Sequence, residues 1–215
     1  MADTLDSEQE QIDAIKAWWK ENGRVITVGL ILGLGGVFGW SYWQSYATTK
    51  AEDASRIYEE MINWASVGNY NRSNELADTL MRDFASSGYA PLAGLVRASN
   101  AFSDDHADQA RGFLQWVIEN AHREEIKNLA RLRGARLAAE NQEYETALTM
   151  LDAATDPGYY VGSYEETRGD IMLAQNDVQS AMGHYENALG TPGLANLQRM
   201  RITMKLNDLG QSASQ

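Results

Sequence analysis

From Val25 to Thr49 the chain carries no charged residue, and Val25 to Trp43 is a nearly continuous run of apolar residues and glycine. At about 1.5 Å of rise per residue, roughly 20 helical residues cross a hydrocarbon layer of about 30 Å. A helix buried in a water-soluble core normally keeps a polar stripe, whereas this run is apolar on all sides. Trp18 and Trp19 precede it, and Trp40, Tyr42, Trp43 and Tyr46 cluster at its far end, which is the placing of aromatic belts at two membrane surfaces. The sequence therefore predicts a transmembrane helix over residues 25–46, with the lipid bilayer as its first partner.

The flanks decide how such a helix is used. Its leader is long and acidic (Asp3, Asp6, Glu8, Glu10, Asp13), and no small-x-small cleavage site follows the aromatic exit. These features predict an uncleaved anchor rather than a signal peptide. Lys16, Lys20 and Arg24 lie close before the span, with Lys50 and Arg56 further beyond it. That bias predicts a tail of residues 1–24 on the inner side of the membrane and a domain of residues 47–215 exported to its outer side. Ile12, Ile15, Trp18 and Trp19 share one helical face of the tail, as in a short amphipathic segment on the inner leaflet. Gly29, Gly33 and Gly36 share a face of the span, where small residues let a second helix approach closely, although glycine is also frequent in membrane helices generally. These three are candidate contacts for a membrane partner.

Beyond Tyr46 apolar residues recur at helical spacing between short turn signals. The segments predict helices near 47–67, 73–86, 90–103, 107–121, 125–140, 144–155, 160–175, 178–189 and 193–207. Eight of them pair into four hairpins and the ninth is a cap. Ala135, Tyr144, Ala147, Leu151 and Ala154 are followed 34 residues later by Gly169, Val178, Ala181, Tyr185 and Ala188. That is the tetratricopeptide period, with small residues where paired helices cross and a large one filling the groove to the next hairpin. Pro157 and Pro192 fall at unit ends, where no interior hydrogen bond is lost. Upstream, Ala98, Ala110, Leu114 and Val117 fit only with a small insertion, and Ala77, Met81 and Phe84 fit loosely. About three repeats are needed to bury a continuous core, so these hairpins are expected despite their drift. The predicted fold is all-α: one N-terminal transmembrane helix, then a tetratricopeptide-like α-solenoid of about four helical hairpins plus a capping helix.

No constellation for catalysis is visible. The formal net charge is -12, which excludes nucleic acid as a partner because phosphate binding needs clustered cations. Cysteine is absent, and with it thiolate chemistry and sulfur metal sites. His106, His122 and His184 have no ligand-type spacing and read as surface residues. Gly33-Leu34-Gly35-Gly36 lacks the Lys and Ser or Thr of a phosphate loop. Glu59-Glu60, Glu124-Glu125 and Glu165-Glu166 read as solvated faces, since adjacent helical positions point about 100° apart. The chain is thus expected not to be an enzyme and to have no catalytic, metal or cofactor site. A helical repeat instead offers a concave groove lined by the first helix of each hairpin. Leu132, Arg136 and Glu140, then Glu166, Asp170 and Leu173, with Leu95, Ser99 and Phe102 before them, fall on that face. The three leucines fit a core equally well, leaving Phe102, Arg136 and Asp170 as the candidate partner-binding residues.

The run Glu10-Gln11-Ile12-Asp13-Ala14-Ile15-Lys16-Ala17-Trp18-Trp19-Lys20-Glu21-Asn22-Gly23, then Val28-Gly29-Leu30-Ile31-Leu32-Gly33 and Gly39-Trp40-Ser41-Tyr42-Trp43, resembles the N-terminus of the ancillary SecYEG translocon subunit family. The likeness continues through the repeats to the C-terminus. It implies a single-pass inner-membrane protein with a periplasmic repeat domain. The implied partners are the Sec translocon channel and a membrane-anchored periplasmic chaperone of the peptidyl-prolyl isomerase type, with exported polypeptides as a further class. The implied role is a non-enzymatic adaptor that helps newly exported proteins. An envelope-biogenesis scaffold using the same groove without channel contact is the alternative that periodicity and topology leave open.

Overall fold

A computed structural model describes residues 2–212, with side chains from Lys16 onward except those of Ala17, Ile26, Val28, Leu30, Ile31, Ala47, Gln211 and Ser212. Regular structure among the described residues is entirely helical. The helices are α1 (Ala2–Ser66), α2 (Tyr70–Asp83), α3 (Tyr89–Ser103), α4 (Ala107–Asn120), α5 (Glu124–Glu140), α6 (Tyr144–Asp152), α7 (Val161–Ala174), α8 (Val178–Gly190) and α9 (Asn196–Ser212), with a 3₁₀ turn at Gly158–Tyr160. The chain divides into two units, Met1–Asp53 and Ala54–Gln215.

The first unit consists of the N-terminal part of α1. Tail, span and first repeat helix were expected as separate segments, yet α1 runs uninterrupted from Ala2 to Ser66. It contains no proline, and an interior glycine costs only about 1 kcal/mol, too little to end a helix by itself. Thr27 Oγ1 donates to the Gly23 carbonyl at 2.7 Å, and a Cβ at Gly23 would stand 3.0 Å from the Trp19 indole. Trp40 and Trp43 lie tilted with ring centroids 5.6 Å apart. Val25, Leu32, Leu34, Val37 and Phe38 are all exposed, and their positions surround the helix rather than marking one face. At Gly29, Gly33 and Gly36 an added Cβ would meet nothing within 4 Å. Taken over the described residues, no helix is long and apolar enough to cross a membrane. The span predicted at 25–46 includes Ile26, Val28, Leu30 and Ile31, whose side chains lie outside the described set, as do those of Ile12 and Ile15 in the predicted amphipathic face.

The second unit contains the four hairpins and the cap. The end of α1 pairs with α2, α3 with α4, α5 with α6 and α7 with α8, and α9 closes the array. One turn is used in every hairpin. Gly68, Asp105, Gln142 and Asn176 each adopt a positive φ, between 63° and 76°. The next residue's N–H then reaches back to an orphan carbonyl of the preceding helix: Asn69 to Trp64 (3.0 Å), His106 to Ala101 (2.8 Å), Glu143 to Ala138 (2.8 Å) and Asp177 to Met172 (2.9 Å). This left-handed closure satisfies the carbonyls that a helix end would otherwise strand. The Asn69 and Asp177 side chains then cap the following helix, accepting from the N–H groups of Arg72 and Ser180. The last two turns stand one 34-residue period apart, while the first three are spaced three residues wider. That extra length is the insertion that blurs the upstream repeats.

Helices cross where side chains are smallest. Ala147, Ala181 and Ala188 are fully buried, and glycines allow the closest approaches. A Cβ at Gly94 would come 2.6 Å from Val117, at Gly134 3.0 Å from Met150 Sδ, and at Gly169 2.6 Å from the Tyr185 ring. The large partners fill the space between hairpins: Leu151, Tyr164, Ile171 and Tyr185 are fully enclosed. The drifted first hairpin has a buried core too, with Ala54 and Met61 of α1 against Leu76, Ala77 and Leu80 of α2. Ile202, Leu206 and Leu209 dock α9 on Ala181, Tyr185 and Ala188 of α8.

A candidate partner-binding groove

The first helices of successive hairpins, α3, α5 and α7, present the face predicted as a groove. Between α3 and α5, floored by α4, lies a pocket of about 210 Å³. Ala98, Ser99 and Phe102 of α3 form one wall, Arg133, Arg136, Leu137 and Glu140 of α5 the other, and Ala110 and Leu114 the floor. Phe102 is 51% exposed, unusually open for an aromatic residue at the rim of an apolar pocket. Phe102 and Arg136, predicted separately, therefore meet in one place, joined by Ser99 and Glu140. Leu95 and Leu132 do not contribute; both are core. Arg133 was missed, although its spacing of three and seven residues from Arg136 and Glu140 puts it on the same helical stripe.

Arg136 is held by one internal bond. Its Nε donates to Thr167 Oγ1 of α7 at 3.1 Å, and that hydroxyl donates to the Ser163 carbonyl. Surrounding protein lowers the Arg136 pKa by desolvation, against the opposing attraction of Glu166. The side chain is nonetheless open to solvent. Both conditions hold together on a concave wall, where a group touches water yet has protein on most sides.

Asp170 lies one helix further along and outside the pocket. It accepts from the Tyr185 hydroxyl at 2.6 Å and from Lys205 Nζ at 2.6 and 2.9 Å, so the chain itself already engages this predicted contact. Glu166, expected on a solvated face, is 2% exposed. Arg201 donates two bonds to it at 2.7 Å, with further bonds from Lys205 at 3.0 Å and Gln198 at 3.1 Å. Burial alone would raise its pKa, but the bonds and charges of Arg201 and Lys205 outweigh that and hold it down at about 2. Burial likewise raises the Tyr185 hydroxyl, helped by its bond to Asp170. Neighbouring Glu165 points the other way, as the angular argument required, and meets Arg168 at 2.9 Å and His184 Nδ1 at 2.9 Å. His184 is thus part of a half-buried cluster rather than an isolated surface residue. Leu173 is half-buried against the cluster under α9.

Among the described residues no group of three or more His, Asp or Glu side chains is placed to hold a metal ion. Stacked helical hairpins with a common left-handed turn, small residues at the crossings and an open face along their first helices define a tetratricopeptide repeat-like protein. The family model described as a tetratricopeptide repeat-like domain matches residues 16–211. A protein of Aggregatibacter actinomycetemcomitans named ancillary SecYEG translocon subunit is 30% identical over 97% of this chain and 100% of its own length. Proteins of the same name from Haemophilus influenzae (29% identical, over 97% of this chain and 100% of theirs) and Escherichia coli K12 (28%, over 92% and 96%) are similar. The chain belongs to the ancillary SecYEG translocon subunit family. No solved structure matches it.

Proposed function

We propose that the chain is a single-pass inner-membrane adaptor at the Sec protein-export channel, with its N-terminus cytoplasmic, residues 25–46 in the bilayer and its repeat domain periplasmic. In this reading the domain links the channel to a membrane-anchored periplasmic chaperone of the peptidyl-prolyl isomerase type and helps newly exported proteins, without catalysis of its own. The observation that carries it is the length of the match: relatives named for the translocon align over 97% of this chain, through the apolar segment as well as the repeats. A shared repeat fold alone would leave the N-terminus unmatched. The exposed Val25, Leu32, Leu34, Val37 and Phe38 support the anchor, because an apolar surface on every side of a helix is costly in water and favourable in lipid. The open face at Gly29, Gly33 and Gly36 is the surface for a channel or chaperone helix. Phe102 and Arg136 form the periplasmic contact, with Asp170 beyond them acting jointly with Lys205.

The test is capture of the tagged full-length chain from membranes in mild detergent, followed by mass spectrometry. Channel subunits and a periplasmic isomerase-type chaperone should be enriched over an unrelated single-pass protein of the same membrane. Cell-wall or outer-membrane assembly proteins in place of the channel would replace this reading with an envelope scaffold.

A further inference from the structure

The pocket between α3 and α5 has a chemistry of its own. Its floor of Ala110 and Leu114 is apolar and its α3 wall is mostly so, with Ala98 and Phe102 beside the single hydroxyl of Ser99, while its α5 wall carries Arg133 and Arg136. In a chain with 18 Lys and Arg against 30 Asp and Glu, cations have carboxylates in excess to pair with. Neither arginine has an ion pair among the described residues; Arg136 donates one N–H to a threonine instead. One further turn along α5 the wall changes sign at Glu140. From Arg133 to Glu140 it is about 10 Å long at 1.5 Å per residue, which matches roughly three residues of extended chain.

We propose that this pocket receives a short segment of a partner polypeptide in which an apolar side chain enters beside Phe102 and an adjacent carboxylate lies against Arg133 and Arg136. The inference rests on the groove being the periplasmic recognition surface and specifies what that surface selects. The apolar contact supplies burial. The guanidinium groups supply selectivity, because the planar fork of arginine matches a carboxylate with two parallel N–H bonds. Glu140 fixes direction by repelling the carboxylate from the far end of the wall.

The experiment titrates the full chain in lipid nanodiscs into labelled peptides and follows fluorescence anisotropy. Three flexible serine-glycine peptides are compared: one with a central leucine-glutamate pair, one with leucine-glutamine and one with serine-glutamate. The leucine-glutamate peptide should bind several-fold more tightly than either other peptide. Arg133→Gln with Arg136→Gln should abolish its advantage over leucine-glutamine while the chain stays folded. Arg133→Gln alone, which breaks no internal bond, should reduce that advantage and guards against a folding defect in the pair. Equal binding of leucine-glutamate and leucine-glutamine overturns the carboxylate selection but leaves the groove as an apolar recognition surface. Binding of no peptide above the level of a Phe102→Asp variant overturns both.

Discussion

Arg201 of α9 grips the carboxylate of Glu166 of α7 through two hydrogen bonds of 2.7 Å, across 35 positions of sequence, and so makes the last helix stand where the first helix of a further repeat would. The pair is lopsided: Glu166 is 2% exposed while Arg201 keeps 54% of its side chain in solvent. Removing the cations therefore strands a buried charge, whereas neutralising the carboxylate leaves cations that water can solvate. Arg201→Ala with Lys205→Ala should cost about 3–5 kcal/mol. Glu166→Gln should cost less, about 1.5–3 kcal/mol. Urea melts of the three proteins check the order, and a larger loss from Glu166→Gln would contradict it.

The same network sets an acid limit. Glu166 has its pKa lowered from 4.5 to about 2 in the folded chain, so its ionised form stabilises the fold. That contribution is complete above the unfolded value and fades as pH falls from about 4.5 toward about 2. The stability difference between wild type and Glu166→Gln should be constant from pH 7 down to about 5 and shrink below that. A difference that stays flat down to pH 3 would show that Glu166 does not carry the effect.

Two glycines on adjacent helices should behave in opposite ways. A Cβ at Gly169 would stand 2.6 Å from the ring of Tyr185, which its bond to Asp170 holds in place, whereas a Cβ at Gly183 meets nothing within 4 Å. Gly169→Ala should overpack the last hairpin and cost about 1–3 kcal/mol, as should Ala147→Leu or Ala181→Leu at the fully buried crossings. Gly183→Ala should be neutral or gain up to about 1 kcal/mol from helix propensity. Thermal melts that fail to separate Gly169→Ala from Gly183→Ala would contradict the crossing geometry.

On the proposed membrane-anchored reading, replacing Gly29, Gly33 and Gly36 by Leu should leave residues 25–46 inserted, since Leu favours insertion, while preventing close approach of another helix. Capture of channel subunits should fall although periplasmic peptide binding by the repeat domain persists. Unchanged capture would make the span a tether only.

Most of the helices were legible in the sequence because turn chemistry and apolar period agree there. The strong units carry Ala147, Leu151, Ala181 and Tyr185 at matching positions, and all four are fully buried. The first hairpin was faint because its core uses Met61, Leu76 and Leu80, ordinary apolar residues that carry no repeat signature. Its turn, with Gly68 in the left-handed conformation, was the clearer mark. Gly23 does not end α1, because a single interior glycine is too weak a breaker to stop a helix by itself. At the groove, periodicity placed Phe102 and Arg136 on the first-helix face where one pocket brings them together, but not Arg133, which lies on the same stripe. The burial of Glu166 was illegible for a physical reason: a charged residue reads as exposed unless its partners are known, and those partners lie on a capping helix outside the repeat period.

The measurement that bears most directly on the whole account is site-specific photo-crosslinking in native membranes, with the reactive residue placed in turn at Gly33 and at Phe102 of the full-length chain. An adduct with a channel subunit from Gly33, together with an adduct to a periplasmic chaperone or an exported polypeptide from Phe102, is the result expected of an adaptor with two recognition surfaces. Adducts from Phe102 to envelope-assembly proteins, with none to the channel from any position along residues 25–46, would contradict it.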